Sequence, residues 1–282
     1  MTGLPPVRRR LLGAALRRYR ENLGYGLEDA ARILDCDKSK MSRIETGQRG
    51  IRDKELRELL TEYGVAAGEQ EALAAVAHQG RQQGWWQGYS DVLTDAGQDY
   101  VIMEAAANEI LGYQPHRVPA LLQTADYARA MADADPAYHD DVQRDHAVEV
   151  TLARQRIVLE ERGPWLDVII GEGALRQAVG GAGTMRAQLS RLAGIADEDP
   201  GVTLQVLPFT RGADGVTACA MTVLRFADTP GIGVIHLDAL SGGVSLDGPE
   251  ELGRYLCAFA HLRLAALDPA ASARLLREMA RQ

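Results

Sequence analysis

The sequence is poor in cysteine and has no long apolar run. Its three cysteines, Cys36, Cys219 and Cys257, are far apart and form no CxxC pair. This spacing predicts neither a disulfide framework nor a metal site, and we expect all three to be small buried residues. No stretch of about 18 apolar residues is present to span a bilayer. The basic start at residues 8–10 leads into an amphipathic pattern instead of a signal peptide. We therefore expect a cytoplasmic protein with no membrane partner.

The sequence also lacks the motifs of common catalytic and nucleotide-binding sites. It contains no GxSxG elbow, HExxH pair, Walker loop or dinucleotide fingerprint. Two weaker features are Gly171-Glu172-Gly173 before a predicted helix, and His236 with Asp238 on one face of a predicted strand. A tight strand-to-helix turn and a solvated or core-edge histidine are the favoured interpretations. The sequence therefore predicts no enzyme, no metal and no cofactor.

Charge is divided unequally along the chain. The formal net charge is −8, but residues 1–64 contain 14 Lys and Arg against 10 Asp and Glu. The remaining residues contain 17 Lys and Arg against 29 Asp and Glu, so the first segment is net +4 and the rest net −12. A basic module on an acidic body can dock on phosphate while the body is repelled. The length of 282 residues also favours two folded units.

The first 65 residues predict four short helices. Apolar residues at helical spacing place these helices at about 8–24, 27–34, 38–46 and 56–64. Asp35 occupies a turn position that commonly needs a left-handed backbone, and Asp37 is placed to cap the third helix. In that helix only Met41 and Ile44 are large and apolar, so its polar residues should face outward. A short helix of this kind is typical of one that enters the DNA major groove.

This segment resembles the XRE, or lambda/434-repressor-like, helix-turn-helix family. The resemblance rests on L-E-D-A-A at residues 27–31 and S-R-I-E-T-G-Q-R at residues 42–49, and it covers about residues 8–65. It implies a regulator that binds double-stranded DNA. Leu27 departs from the family pattern, because the family often has a polar DNA-contacting residue at the start of the second helix.

The resemblance also implies roles for individual residues. Its base-reading positions fall on Lys38, Ser39 and Arg43, and its backbone-contacting positions fall on Asp37, Thr46 and Gln48, with Arg49 as a neighbouring basic candidate. Arg20 and Glu45 match its structural ion pair. Asp37 is an anion that would face phosphate, which is tolerable only if its charge is used in the helix cap.

Residues 67–88 predict a connecting helix and hinge, and residues 89–282 predict an α+β domain. Gly68 to Gln83 has a helical pattern, and Trp85-Trp86 is interpreted as hinge packing in preference to a ligand site. Helices are predicted at about 98–112, 124–133, 140–161, 172–179, 185–196 and 249–267, with strands at 166–170, 202–208, 218–226 and 233–240. The predicted fold is thus a mainly α helix-turn-helix bundle over residues 1–66, followed by helices and a small sheet.

The second half resembles the C-terminal domain of actinobacterial regulators of the WhiJ-like, Scr1 antitoxin-like group. Four segments carry this resemblance in order: P-A-L-L-Q-T at 119–124, L-A-R-Q at 152–155, E-G-A-L-R at 172–176 and L-Q-V-L-P at 204–208. The resemblance implies a small protein partner encoded nearby. A homodimer is expected for a separate reason, because one short recognition helix reads too few bases for useful specificity.

Two alternative functions stay open beside a DNA-binding regulator with a protein partner. The C-terminal domain would sense a small-molecule effector if the polar residues of its apolar helices line a pocket. Those residues are Glu104, Arg154, Gln155 and Arg176, for which structural ion pairs are the preferred interpretation. The third function, an enzyme with an accessory DNA-binding domain, would need turnover without a recognisable motif.

Overall fold

Two structural units follow one another along the chain. The computed structural model describes residues 7–79, 84–159, 163–216, 219–226, 233–238 and 243–281. Over these residues a bundle of five helices precedes a domain that contains helices and a six-stranded sheet. The predicted fold class is confirmed.

The N-terminal bundle contains α1 (Val7–Asn22), α2 (Leu27–Ile33), α3 (Lys38–Glu45), α4 (Asp53–Glu62) and α5 (Ala67–Gln79). Its core is made of apolar side chains at helical spacing, among them Leu12, Leu16, Ala31, Met41, Ile44, Leu56, Leu59 and Leu60. Asp35, between α2 and α3, has a φ of +45°, so the left-handed backbone predicted there is confirmed. The predicted helix over 68–83 corresponds to α5, and residues 80–83 lie outside the described part of the chain.

The C-terminal domain alternates helices with strands. Its helices are α6 (Asp95–Ala106), α7 (Ala125–Ala134), α8 (Asp141–Val158), α9 (Glu172–Arg176), α10 (Gly181–Glu198), α11 (Gly212–Val216), α12 (Pro249–Ala265) and α13 (Pro269–Ala280). Its strands are β1 (Glu109–Gln114), β2 (Trp165–Gly171), β3 (Val202–Leu207), β4 (Met221–Arg225), β5 (Gly233–Leu237) and β6 (Val244–Leu246). Short 3₁₀ turns lie at Trp85–Tyr89, Ala120–Leu122 and Phe209–Arg211.

The sheet is mixed. Its strand order is β3-β2-β1-β4-β5-β6. The β1–β2 and β2–β3 pairs are parallel, and the β1–β4, β4–β5 and β5–β6 pairs are antiparallel. One face packs on α12 through Leu111, Tyr113, Ile169 and Val223. Ile110, Val168 and Val206 point to the opposite face and belong to the core that includes α6, α10 and α13. Because side chains alternate along a strand, Gly112 also lies on this second face.

Several predicted elements differ from the structure. The helix predicted over 98–112 is wrong in its second half, because α6 ends at Ala106 and residues 109–114 form the central strand β1. The predicted helix over 172–179 is only the five-residue α9, and β6 was not predicted. Residue 218 and residues 239–240 of two predicted strands lie outside the described residues. The expectation of buried cysteines is also wrong, because Cys219 and Cys257 are exposed.

The tryptophan pair packs against the C-terminal domain. The ring of Trp85 makes edge contacts with Trp86 and Tyr89 at centroid distances of 6.1 and 5.9 Å. Tyr89 in turn meets the ring of His146 on α8 at 5.2 Å. These aromatic contacts pack the 3₁₀ turn Trp85–Tyr89 on α8.

Candidate nucleic-acid interface

The helix α3 presents a polar face to solvent. Asp37 caps its start, because the Oδ1 atom accepts a hydrogen bond from the backbone N–H of Lys40 at 2.6 Å. Met41 and Ile44 are buried against the bundle. The seven residues predicted to touch DNA are all exposed: Asp37, Lys38, Ser39, Arg43, Thr46, Gln48 and Arg49. They belong to α3, to its N-terminal cap and to the turn that follows it.

The positively charged side chains of Lys38 and Arg43 on this face make only weak contacts with other described residues of the protein. Lys38 donates from Nζ to Glu28 at 2.9 Å, but the two side chains are 60% and 73% exposed. Arg43 donates from Nε to the carbonyl oxygen of Ser39 at 3.2 Å. Exposed pairs of this kind contribute about 0–1 kcal/mol, so a phosphate or a guanine edge can replace these partners.

A buried ion pair binds α3 to α1 on the side opposite the exposed polar face. The guanidinium of Arg20 donates from Nε and Nη2 to the two carboxylate oxygens of Glu45, at 2.7 and 2.9 Å. A third bond runs from Nη1 to the carbonyl oxygen of Tyr25 at 2.6 Å. The hydrogen bonds that Arg20 donates to Glu45 raise the pKa of Arg20. The structure thus brings together the two residues predicted as a structural pair, and their bonds link α1 to α3.

Gly13 lies at the same contact between α1 and α3, and it was not among the residues predicted from the sequence. A Cβ atom at this position would lie 2.5 Å from the carbonyl oxygen of Glu45 and 2.6 Å from that of Ile44. The backbones of α1 and α3 therefore approach so closely that a side chain does not fit. A glycine inside a strongly helical pattern was the available signal.

The polar residues considered for a sensing pocket separate into two groups. Gln155 donates from Nε2 to the carbonyl oxygens of Ala120 and Gln123, and Arg176 pairs with Glu172 at 2.6 Å. These contacts are structural. In contrast, Glu104 and Arg154 form a bidentate pair and also line a cavity, together with His236 and Asp238.

The turn at Gly171-Glu172-Gly173 joins β2 to α9. The Glu172 carboxylate accepts from the backbone N–H of Phe209 at 2.8 Å and from Arg176. The described residues contain no group of His, Cys, Asp and Glu that could hold a metal ion. Among those same residues, no helix has the length and apolar character needed to cross a membrane.

Comparison with protein families gives two matches. Residues 11–73 match a family described as a helix-turn-helix domain, and residues 98–278 match a domain of unknown function, DUF5753. The chain belongs to the DUF5753 family. The DUF5753 match runs from within α6 to within α13, and the helix-turn-helix match supports a DNA-binding regulator. No curated protein and no solved structure matches the chain.

Proposed function

We propose that the chain is a sequence-specific regulator of transcription that inserts α3 into the major groove of double-stranded DNA. The observation that carries this proposal is the exposed polar face of α3, a helix whose buried side is bound to α1 by the Arg20–Glu45 pair. Lys38, Ser39 and Arg43 read base edges, since an arginine can donate two parallel hydrogen bonds to guanine. Asp37, Thr46, Gln48 and Arg49 lie against the phosphate backbone. The protein acts by binding and not by catalysis.

A footprint on the DNA upstream of the chain's own gene tests this function. We expect the full chain to protect one discrete segment while excess unrelated duplex is present, because base contacts add to the phosphate contacts that all sequences share. Uniform protection that disappears with competitor DNA would indicate phosphate binding alone and would contradict the proposal.

We further propose that two chains bind one pseudo-palindromic operator. A single short helix reads few base pairs, whereas two helices related by a twofold axis double the site. We expect the mass of the complex, measured by analytical ultracentrifugation, to correspond to two chains on each duplex. A single chain that binds one duplex with full sequence preference would contradict the dimer.

The acidic C-terminal domain is proposed to bind a small protein partner, as antitoxin-like regulators do. Its net charge of −12 over residues 65–282 repels phosphate, so DNA contact does not account for its surface. Its size also exceeds what dimerisation alone requires. Isolation of the full chain from its native cell, followed by identification of bound proteins, tests this role. Recovery of the chain with a stoichiometric small molecule and no protein would favour the sensor instead.

Arg49→Ala should weaken binding to all DNA sequences equally. Arg49 is exposed in the turn after α3, and we propose that it contacts a phosphate and no base. Loss of one phosphate contact lowers the slope of log Kd against log salt by about one unit. Kd measured over a salt series checks this. Arg254→Ala is the matched control, because Arg254 is an exposed arginine on the acidic domain and its loss should leave the slope unchanged.

A further inference from the structure

A cavity of about 760 Å³ lies in the C-terminal domain, and the function proposed above does not use it. Gly112, Val168 and Thr222 line it on the sheet face opposite α12, and α6 and α8 supply further lining residues. Pockets for drug-sized molecules typically have volumes of about 300–1,000 Å³. The volume of the cavity therefore suits a small molecule.

Gly112 leaves unfilled space on the cavity side of the sheet. It lies in the middle of the central strand, where a glycine weakens strand packing and often marks the close approach of a ligand or another backbone. Among the described residues, a Cβ atom at Gly112 would meet only Val168 Cγ2, at an ordinary contact distance of 3.8 Å. Protein packing thus gives no reason for a glycine here. The empty space beside it is available to a ligand.

The charges that line the cavity already neutralise one another. Glu104, which is 1% exposed, accepts from Arg154 at 2.7 and 2.8 Å and from the hydroxyl of Tyr100 at 2.9 Å. Asp238 pairs with Arg117 at 2.8 Å and accepts from Gln114 at 3.0 Å. Each arginine of the lining is therefore already neutralised by a carboxylate, which weakens its attraction for a further anion.

Two other lining groups also disfavour the binding of an anion. Burial lowers the pKa of His236, so its imidazole is mainly neutral at pH 7. Asp135 adds a third carboxylate to the lining. A phosphate or carboxylate ligand would meet a site with excess negative charge, whereas hydroxyl and amide groups can bond to the polar atoms without adding charge.

A short series of contacts connects this cavity to α3. The Nδ1 atom of His236 lies 3.1 Å from Ser245 Oγ on β6. The Ser245 carbonyl oxygen accepts from Arg10 Nη2 at 3.4 Å, and the carboxylate of Asp247 accepts from Arg10 Nε at 3.1 Å. Arg10 belongs to α1, and its backbone packs on Gly47, where a Cβ atom would lie 2.9 Å from the Arg10 nitrogen. Gly47 directly follows the α3 cap residue Thr46.

A second contact joins the same two parts of the protein. Asp99 on α6 pairs with Arg8 on α1 at 3.3 Å. Its neighbour Tyr100 lines the cavity and stacks on His236 at a ring distance of 4.2 Å. A change in the cavity can therefore reach the first turns of α1 through both β6 and α6.

We propose that this cavity binds an uncharged amphipathic organic molecule, and that its occupancy alters the position of α3 through Ser245 and Arg10. The apolar part of the molecule packs on Val101, Ile110 and Val168. Its hydroxyl or amide groups face the Glu104–Arg154 pair and His236. The binding half of this proposal does not depend on DNA, while the effect on operator affinity rests on the function proposed above.

Nile red, an uncharged amphipathic fluorophore, tests binding to the DNA-free full chain. We expect saturable fluorescence enhancement with the wild-type protein and with Gly112→Ala, which adds only a methyl group. Gly112→Phe fills the cavity and should weaken the Kd for Nile red at least tenfold. Thr222→Phe fills the same space from β4, and cooperative thermal unfolding identifies which of the two variants is folded. Equal binding by wild type and a folded phenylalanine variant would overturn the proposal.

The anionic fluorophore anilinonaphthalene sulfonate tests the charge selection. It should bind at least tenfold more weakly than Nile red at the site that Gly112→Phe closes. Tighter binding of the anion at that site would overturn the assignment of an uncharged ligand.

The connection to α3 is tested by amide hydrogen exchange and by operator binding. Saturating Nile red should change the protection of α1 and α3 amides, and it should change operator Kd by about 5-fold or more, the usual lower bound of allosteric coupling. Ser245→Ala should retain Nile red binding but reduce both effects, because it removes the contact to His236 and leaves the Asp99–Arg8 contact as the remaining connection to α1. Exchange does not need DNA, so failure of operator binding alone counts against the proposed function and not against the cavity. Unchanged exchange in saturated wild-type protein would overturn the coupling.

Discussion

Glu45→Ala should destabilise the helix-turn-helix bundle by about 3–5 kcal/mol, because it leaves the guanidinium of Arg20 buried without its partner. Both side chains are less than one tenth exposed, and Glu45 accepts two of the hydrogen bonds that Arg20 donates. Removal of one partner of a buried pair costs more than the pair itself contributes. The variant should also lose operator binding, since α3 is no longer fixed to α1.

Amide hydrogen exchange of α1 and α3 measures this loss within the bundle. Tryptophan fluorescence does not report it, because Trp85, Trp86 and Trp165 all lie outside the five helices. Protection should fall by about two to three and a half orders of magnitude, since each factor of ten corresponds to about 1.4 kcal/mol. Arg17→Ala is the control, because Arg17 pairs with Glu21 of the same helix at 2.7 Å on the surface, and protection should change little. Equal loss in both variants would contradict the structural role of Glu45.

Arg43→Ala should relax base preference at one position of each half-site. A bidentate arginine–guanine pair contributes about 1–3 kcal/mol of discrimination, which is a ratio of about 5 to 150 between guanine and another base. Arg43 is suited to this contact because its side chain is exposed and its only bond given by the structure, to the Ser39 carbonyl, uses Nε at 3.2 Å. Competition binding with single-base variants of the operator measures the ratio.

Arg43→Lys separates charge from geometry at this position. Lysine keeps the positive charge but lacks the planar fork that matches guanine O6 and N7. We therefore expect Arg43→Lys to retain more of the overall affinity than Arg43→Ala while it loses most of the guanine preference. An unchanged preference in Arg43→Ala would show that Arg43 does not read a base.

The helices of the bundle were predictable because the sequence features that define them involve residues close together in the chain. Asp35 tolerates a left-handed turn, Asp37 caps α3 within three residues, and Met41 with Ile44 define one narrow apolar stripe. Each of these features depends on residues that are close in sequence and on the helical period. The exposed positions of the residues predicted to contact DNA follow directly from that stripe.

The central strand β1 was not predictable from local pattern. Leu111 and Tyr113 pack on one side of the sheet and Ile110 on the other, so the segment has no alternation of apolar and polar residues. A strand that is buried on both faces has a continuous apolar pattern, which a buried helix also produces. Apolar residues at helical spacing, Val101, Ala105 and Ile110, then predicted a helix through residue 112.

The contacts between the two parts of the protein depend on residues that are distant in sequence. Arg10 meets Asp247 across 237 positions, and within the C-terminal domain Gln114 likewise meets Asp238 across 124. Spacing within either segment carries no information about such pairs. The cavity shares this property, because Gly112 marks it only after β1, β2 and β4 are placed side by side.

Selection from a randomised duplex library with the full wild-type chain tests the central claim most directly. If α3 reads the major groove in a twofold dimer, the enriched duplexes should contain two inverted half-sites whose centres lie about 10–10.5 bp apart or at a multiple of that distance. Each half-site should contain a guanine whose enrichment disappears when the selection is repeated with Arg43→Ala. Recovery of duplexes without any common sequence, at an affinity that depends only on salt, would contradict sequence-specific recognition by this helix.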